Sequence, residues 1–360
     1  MVERFLRSLA RDLDRAWSAR GWAERELPSL ARDVVATSRP SDALDGAALL
    51  RFAAAPHTER RGSHPAKGVL PLFTGQRFDL FAHFWVDDFA TPHDHGWAGA
   101  FHVIEGRSVN GQYRFTPRER TRGLDFGALG RTSIALRRRG DTVAVRPSAD
   151  FIHSVLYLDR PGVALSVRGR SRGRGSVTYF RPGLGLGQGV IDDATTCRLQ
   201  ALEIARAVDE GLFVENLRAI FASGDRLMAF LALSDAVQAG WAPPQEVLDA
   251  GEGRLGPSFA ALVGALDDLS LYQEVAELRG EHRDPKTRAL LAALYLSDAP
   301  DELREALAAV DLGDPSGPSD PAATALWTRV GEGLVRLFVD EPDEDDEGHP
   351  SFLAYSAGQL

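Results

Sequence analysis

Apolar residues recur along this chain in three successive regimes. From residue 2 to residue 36, Phe5, Leu6, Leu9, Leu13 and Trp17 fall at three- and four-residue intervals. That is the stripe of an amphipathic helix, and the segment predicts two helices. Ser38-Arg39-Pro40-Ser41-Asp42 interrupts them, and Asp42 or Asp45 is placed to cap a short helix running through Ala54. A polar stretch, Pro56 to Lys67, reads as loop and carries His57 and His64. Short strand-like runs then follow: Val69 to Phe73, Phe78 to Val86, Ala98 to Glu105, Gln112 to Phe115, Thr132 to Arg137, Thr142 to Arg146, Phe151 to Leu158, Val163 to Arg168 and Ser176 to Phe180. Strands this short and this dense, divided by Gly, Asp and Pro turns, predict a β sandwich or barrel. Ser171 to Gly175 reads as a flexible hairpin loop, and Arg181 to Gly189 as a linker by its glycine content. Beyond it Val214, Leu217 and Phe221, then Leu227, Phe230 and Leu231, return to helical spacing. The expected organisation is N-terminal helices over 1–55 packing on a β domain over 56–182. An all-α domain over 183–338 and an acidic, mobile tail over 339–360 complete it.

Composition narrows the class. With 360 residues, 44% of them hydrophobic and 26% charged, the chain is globular and long enough for two domains. Its one cysteine, Cys197, rules out an internal disulfide and fits a reducing compartment. No run approaches the length of a membrane span, and the charged N-terminus does not read as a signal peptide, so the expected address is the cytoplasm. The net charge of −10 is uneven, since Asp340 to Glu347 holds seven acids and no base. Arg118 to Arg181 instead holds fourteen arginines against five acids, a local charge of +9. A basic segment attracts anions in general. This one lacks the interleaved aromatics of a single-strand-binding groove, so nucleic acid is not the expected partner.

The chemistry concentrates in Thr91-Pro92-His93-Asp94-His95-Gly96-Trp97-Ala98-Gly99. Two histidines one residue apart on a strand point to the same face, so their imidazoles converge. His153, in Phe151-Ile152-His153-Ser154-Val155, brings a third into a fresh apolar run. Three neutral imidazoles suit iron(II), zinc, copper or nickel. Counting by twos from His93 puts Trp97, Gly99, Phe101 and Val103 on the ligand face, turns His102 outward, and leaves His83 undecided. Gly169-Arg170-Ser171-Arg172-Gly173 spells G-x-S-x-G, but it lies between two strands rather than between a strand and a helix, and is set aside.

On these residues, Val69 to Phe180 resembles the cupin superfamily, whose double-stranded β-helix barrel holds a metal inside. The usual cupin glutamate would fall where Gly99 and Ala100 stand. With three histidines and no glutamate, the segment looks most like the thiol dioxygenases acting on cysteine, mercaptopropionate and cysteamine. His93 to Gly96, Trp97 and Gly106 follow the pattern of that branch. The resemblance implies a β barrel with an Fe(II) centre at His93, His95 and His153, taking O2 and a thiol or another small anionic metabolite. Zn, Cu, Ni or Mn are the alternatives at that centre. The Ser-His-Tyr relay of some relatives corresponds to Ala164, Ser166 and Arg168, so all three of its residues are replaced. The residues expected to handle substrate are Arg168, Lys67 and Trp97, with Arg168 and Tyr157 as catalytic candidates. Strand alternation sets Ala164, Ser166 and Arg168 on one face and Leu165 and Val167 on the other. The relay correspondence turns Arg168 inward, whereas plain amphipathicity turns it to solvent. The competing readings are a ligand-binding or scaffold cupin without catalysis, and a metal-dependent isomerase or lyase. The helical region is then expected to bind a protein partner or a second copy of the chain.

Overall fold

The structure, a computed structural model, describes residues 1–55, 68–86, 89–170 and 175–310. Lys67, His57, His64, most of the Ser171–Gly175 loop and the acidic tail lie outside the described residues. The chain divides into two compact units. The first holds Met1–Tyr113, Thr132–Ser176 and the described residues from Leu278 onward; the second holds Arg114–Arg131 and Val177–Glu277. The division falls within two long strands, β5 (Ser108–Arg120) and β6 (Leu124–Arg137).

In the first unit the opening helical stripe becomes α1 (Val2–Ser18) and α2 (Leu27–Ser38), followed by the single turn α3 (Pro40–Ala43) and by α4 (Gly46–Ala54). Asp45 caps α4 by accepting a hydrogen bond from the Ala48 amide at 2.6 Å. Leu6, Leu9, Leu13, Trp17, Ala31 and Val35 are buried against a five-stranded antiparallel sheet. Its strands are β1 (Val69–Thr74), β2 (Phe78–Trp85), β9 (Gly162–Gly169), β4 (Gly99–Glu105) and β7 (Thr142–Val145), in that spatial order. Each large side chain sealed in this layer contributes about 1.5–3 kcal/mol. On the sheet side the layer takes Leu80 and Ala82 from β2, Ala100 and Ile104 from β4, and Val163, Leu165 and Val167 from β9. The other parity of the same strands, Phe81 and His83, Phe101 and Val103, Ser166 and Arg168, therefore faces away from the helices.

A second sheet of six strands closes on itself in the order β10 (Val177–Phe180), β11 (Leu184–Gly187), β6, β5, β8 (Ile152–Tyr157) and β3 (Ala90–His93). From β2 to β10 the chain alternates between the two sheets, interrupted only by the β5–β6 hairpin. That path is the double-stranded β-helix of a cupin-type barrel, with helices before and after it. Two strands depart from the sequence expectation. β3 contains Pro92 and was not predicted, since proline removes a ladder donor. The expected linker Arg181 to Gly189 contains β11, paired with β10 and β6. There leucine alternates with glycine in strand period, and glycine is required because a Cβ on Gly183 would meet the Gly127 carbonyl.

The second unit has its own core, built from α5 (Asp193–Val208), α6 (Glu210–Ser223), α7 (Arg226–Gln238), α8 (Gln245–Leu255) and α9 (Pro257–Glu281), whose last turn enters the first unit. Phe213, Leu217, Phe221, Phe230, Leu233, Leu262 and Leu266 fill it together with Leu124 and Leu184 from the strands. Arg181 is buried there, donating to Asp268 from its backbone N at 2.9 Å, from Nε at 2.8 Å and from Nη2 at 2.6 Å. In the first unit α10 (Pro285–Tyr295) and α11 (Pro300–Ala309) complete the described chain. No helix among the described residues is long and apolar enough to cross a membrane.

Candidate metal centre

β3 and β8 pair antiparallel with His93 directly opposite His153, so the two imidazoles leave neighbouring backbone positions. His95 follows β3, and its backbone is held by the Ser148 amide, which donates to the His95 carbonyl at 2.7 Å. The next amide, Gly96 N, donates to Ser176 Oγ at 3.3 Å. The result is a cluster in which one ring nitrogen from each of His93, His95 and His153 lies within 4.8 Å of the others.

The donor set fits a divalent transition metal. His93 Nδ1 lies 2.8 Å from the Thr91 carbonyl, which only accepts, so the proton sits on Nδ1 and Nε2 carries the lone pair. His95 Nε2 and His153 Nε2 are 2.9 Å apart. Two nitrogens each about 2.1 Å from one ion reach that separation at an angle of about 90°, an ordinary cis arrangement. Burial lowers the pKa of all three and takes His95 and His153 well below the usual value, with the nearby imidazoles and arginines adding to it. All three are therefore neutral at pH 7, the form that binds a metal. Aromatic rings close around them. His95 packs on Trp97 at 4.7 Å and Phe101 at 5.6 Å, and His153 on Phe151 at 4.7 Å.

The absent carboxylate has a steric cause. Gly99 sits on β4 opposite Arg168 of β9, and a Cβ there would run into the Val167 carbonyl. Ala100, the other position a cupin glutamate would take, points into the layer under the N-terminal helices and is 1% exposed. Neither position can send a side chain to the histidines.

Arg168 lies on the cavity face of β9, as the relay correspondence expected and amphipathicity did not. The outside of the sheet is covered by helices, so Leu165 and Val167 are buried there and the polar parity is left for the cavity. The guanidinium is stacked over Phe81 at 4.6 Å and over Trp97 at 4.9 Å. Burial draws its pKa down to about 10, with Asp79 partly offsetting this, and it remains charged at neutral pH. His83, which sequence parity left undecided, stands beside it, with Nε2 3.0 Å from Arg168 Nη2. Trp97 thus touches both His95 and Arg168. Tyr157 stacks on Trp85 at 5.2 Å, and burial pushes its hydroxyl pKa upward. Its backbone carbonyl accepts from Arg279 Nη2 at 2.6 Å.

His102 faces outward from the cavity, yet it is 1% exposed because α3 covers it. The Ser41 amide donates to its Nε2 at 3.4 Å, which puts the proton on Nδ1, 2.8 Å from Thr142 Oγ1. Burial lowers its pKa to about 4, with Asp141 and Asp42 partly opposing. The unfolded chain therefore takes up a proton below pH 6.5 that the folded chain refuses until about pH 4. This contribution to stability is complete above pH 6.5 and is lost as pH falls toward 4. His102→Gln is expected to flatten the pH dependence of the unfolding free energy in that window by up to one proton per molecule. Denaturant titrations of both proteins at matched pH check it, and parallel curves refute it.

No protein-family model matches the sequence, and no curated protein matches it. Among solved structures the chain is similar to the hydroquinone 1,2-dioxygenase PnpCD, at 14% identity over 30% of this chain and 68% of that one, with a TM-score of 0.23. It is similar to an uncharacterised Klebsiella pneumoniae protein with a double-stranded β-helix domain, at 14% identity over 37% and 96%, with a TM-score of 0.23. A structure of the DMSP lyases RdDddP and RnDddQII also matches, at 20% identity over 53% and 95%, with a TM-score of 0.27.

Proposed function

We propose that this protein is a mononuclear metalloenzyme, an iron(II)- and O2-dependent oxygenase of a small anionic metabolite, with thiols as the first substrate class to test. The observation that carries the reading is the meeting, among shared aromatic rings, of three neutral imidazoles and the stacked guanidinium of Arg168, with Trp97 in contact with both His95 and Arg168. Iron(II), when bound, would be held by His93, His95 and His153 and would supply Lewis acidity and one-electron chemistry toward O2. The chain's own residues do the rest. Arg168 receives the acidic end of the substrate, and its planar geometry fixes orientation as well as charge. Trp97, Phe101 and Phe151 exclude water and flank the ligand imidazoles.

Metal analysis of protein purified anaerobically without added metal is the primary test, with about one equivalent of iron expected. Less than roughly a tenth of an equivalent of any transition metal, with no uptake on reconstitution, overturns the reading. A dominant content of zinc, copper, nickel or manganese keeps the site and replaces the metal. Oxygen consumption against a panel of thiols then separates an oxygenase from a lyase or isomerase, which turns over without O2, and from a binding protein, which does not turn over. Arg168→Met is expected to raise KM for an acidic substrate by about 10- to 100-fold, the worth of one charge-assisted hydrogen bond, with metal content unchanged. Unchanged KM would place the acidic group elsewhere.

A further inference from the structure

His83 belongs to no candidate ligand set, yet it is 3% exposed and lies at the centre of the cavity's polar contacts. β2 and β9 pair with His83 opposite Ala164, Phe81 opposite Ser166 and Asp79 opposite Arg168. His83 Nε2 is 2.8 Å from Ser166 Oγ and 3.0 Å from Arg168 Nη2, while Arg168 Nε donates to Ser166 Oγ at 3.2 Å. A guanidinium only donates, so His83 Nε2 is the acceptor and the imidazole is the neutral Nδ1–H tautomer. Phe101 at 5.1 Å and Trp85 at 6.3 Å hold the ring in place. Phe81 and Trp97 then fix the guanidinium by its faces, and His83 with Ser166 fixes it by its edge.

We propose that His83 is the positioning residue of an anion subsite, aiming Arg168 toward the three-histidine cluster through a neutral acceptor that adds no negative charge beside it. The inference rests on the reading that Arg168 receives the acidic group of the substrate. The choice of acceptor is what matters. A carboxylate in place of the imidazole would orient the guanidinium equally well and would neutralise it, leaving little attraction for a second anion. A neutral acceptor orients it without adding a negative charge of its own. Trp97, in contact with both His95 and Arg168, sets the reach between the metal end and the anionic end of the subsite.

His83→Gln and His83→Glu separate these roles, because the two side chains have the same shape and differ in charge. The probes are 3-mercaptopropionate and its neutral amide, titrated by calorimetry into cobalt(II)-loaded protein. Wild type is expected to prefer the acid by at least about 10-fold. His83→Gln keeps that preference within about 3-fold, whereas His83→Glu loses it, with cobalt content and affinity for the amide unchanged. Equal preference in the two variants overturns the inference, since a merely structural role would not distinguish them. Wild type without any preference for the acid removes the anion role of Arg168, and an absence of cobalt uptake removes the metal reading. In either case the positioning role is decided in metal-free protein by the Arg168 Nε–H resonance, assigned by its loss in Arg168→Met. Slow solvent exchange of that proton in wild type and His83→Gln, with fast exchange in His83→Phe, supports it. Equally slow exchange in His83→Phe refutes it.

Discussion

His95→Ala will lower the affinity for a divalent transition metal by more than about 100-fold, the upper end of what loss of a group that only supports a ligand costs. Two features make His95 a sensitive position. Its Nε2 sits 2.9 Å from that of His153, so its removal breaks a close pair of donors. Its ring is held by contacts with Trp97 and Phe101, so the vacated space is walled by aromatics that offer no replacement ligand. The fold should survive, because His95 lies outside the strands and is half-buried. Competition against a chromophoric chelator gives the affinity, and circular dichroism reports the fold. A variant that retains a full equivalent of metal at wild-type affinity would show that the cluster is not the binding site.

Asp268→Ala is expected to cost about 3–5 kcal/mol in the stability of the second unit. Arg181 and Asp268 are 9% and 6% exposed, and the carboxylate accepts three hydrogen bonds from this one arginine. Truncating the acid leaves a guanidinium sealed in an apolar core, and the cost is chiefly that of the uncompensated charge. Replacing the pair together, with Arg181→Met and Asp268→Leu, should cost much less, because neither member of the pair is then left buried without the other. Hydrogen exchange across Val177–Glu277 reads the effect locally, and a single variant no less stable than the double would refute it.

The histidine cluster was legible because it depends on local rules. By parity the His-x-His spacing anticipated that His93 and His95 converge, although β3 ends at His93 and His95 follows it, and His153 lay in a plain apolar run. The same parity put Trp97 and Phe101 beside the ligands, where the structure has them. Arg168 was ambiguous because alternation gives two faces without saying which is covered. Leu165 and Val167 are buried outside the barrel, under α1 and α2, and only the packing of a distant segment decides that. His83 was ambiguous for the same reason, since β2 is apolar at both parities. His102 illustrates the converse: its outward direction followed from sequence, but its burial under α3 did not. β11 was hidden by glycines that the close approach of neighbouring strands requires.

Gly99 has a consequence for how this centre can change. A single amino-acid exchange would place glutamate there, and in an open barrel it would add an oxygen donor to the three nitrogens. Here the Val167 carbonyl stands where the first side-chain carbon would have to go, so the exchange requires the strand that carries Arg168 to move as well. The ligand set and the placement of Arg168 are thereby tied to one stretch of main chain. An evolutionary or engineered route to a carboxylate-bearing centre must pass through a displaced β9, and with it a displaced guanidinium.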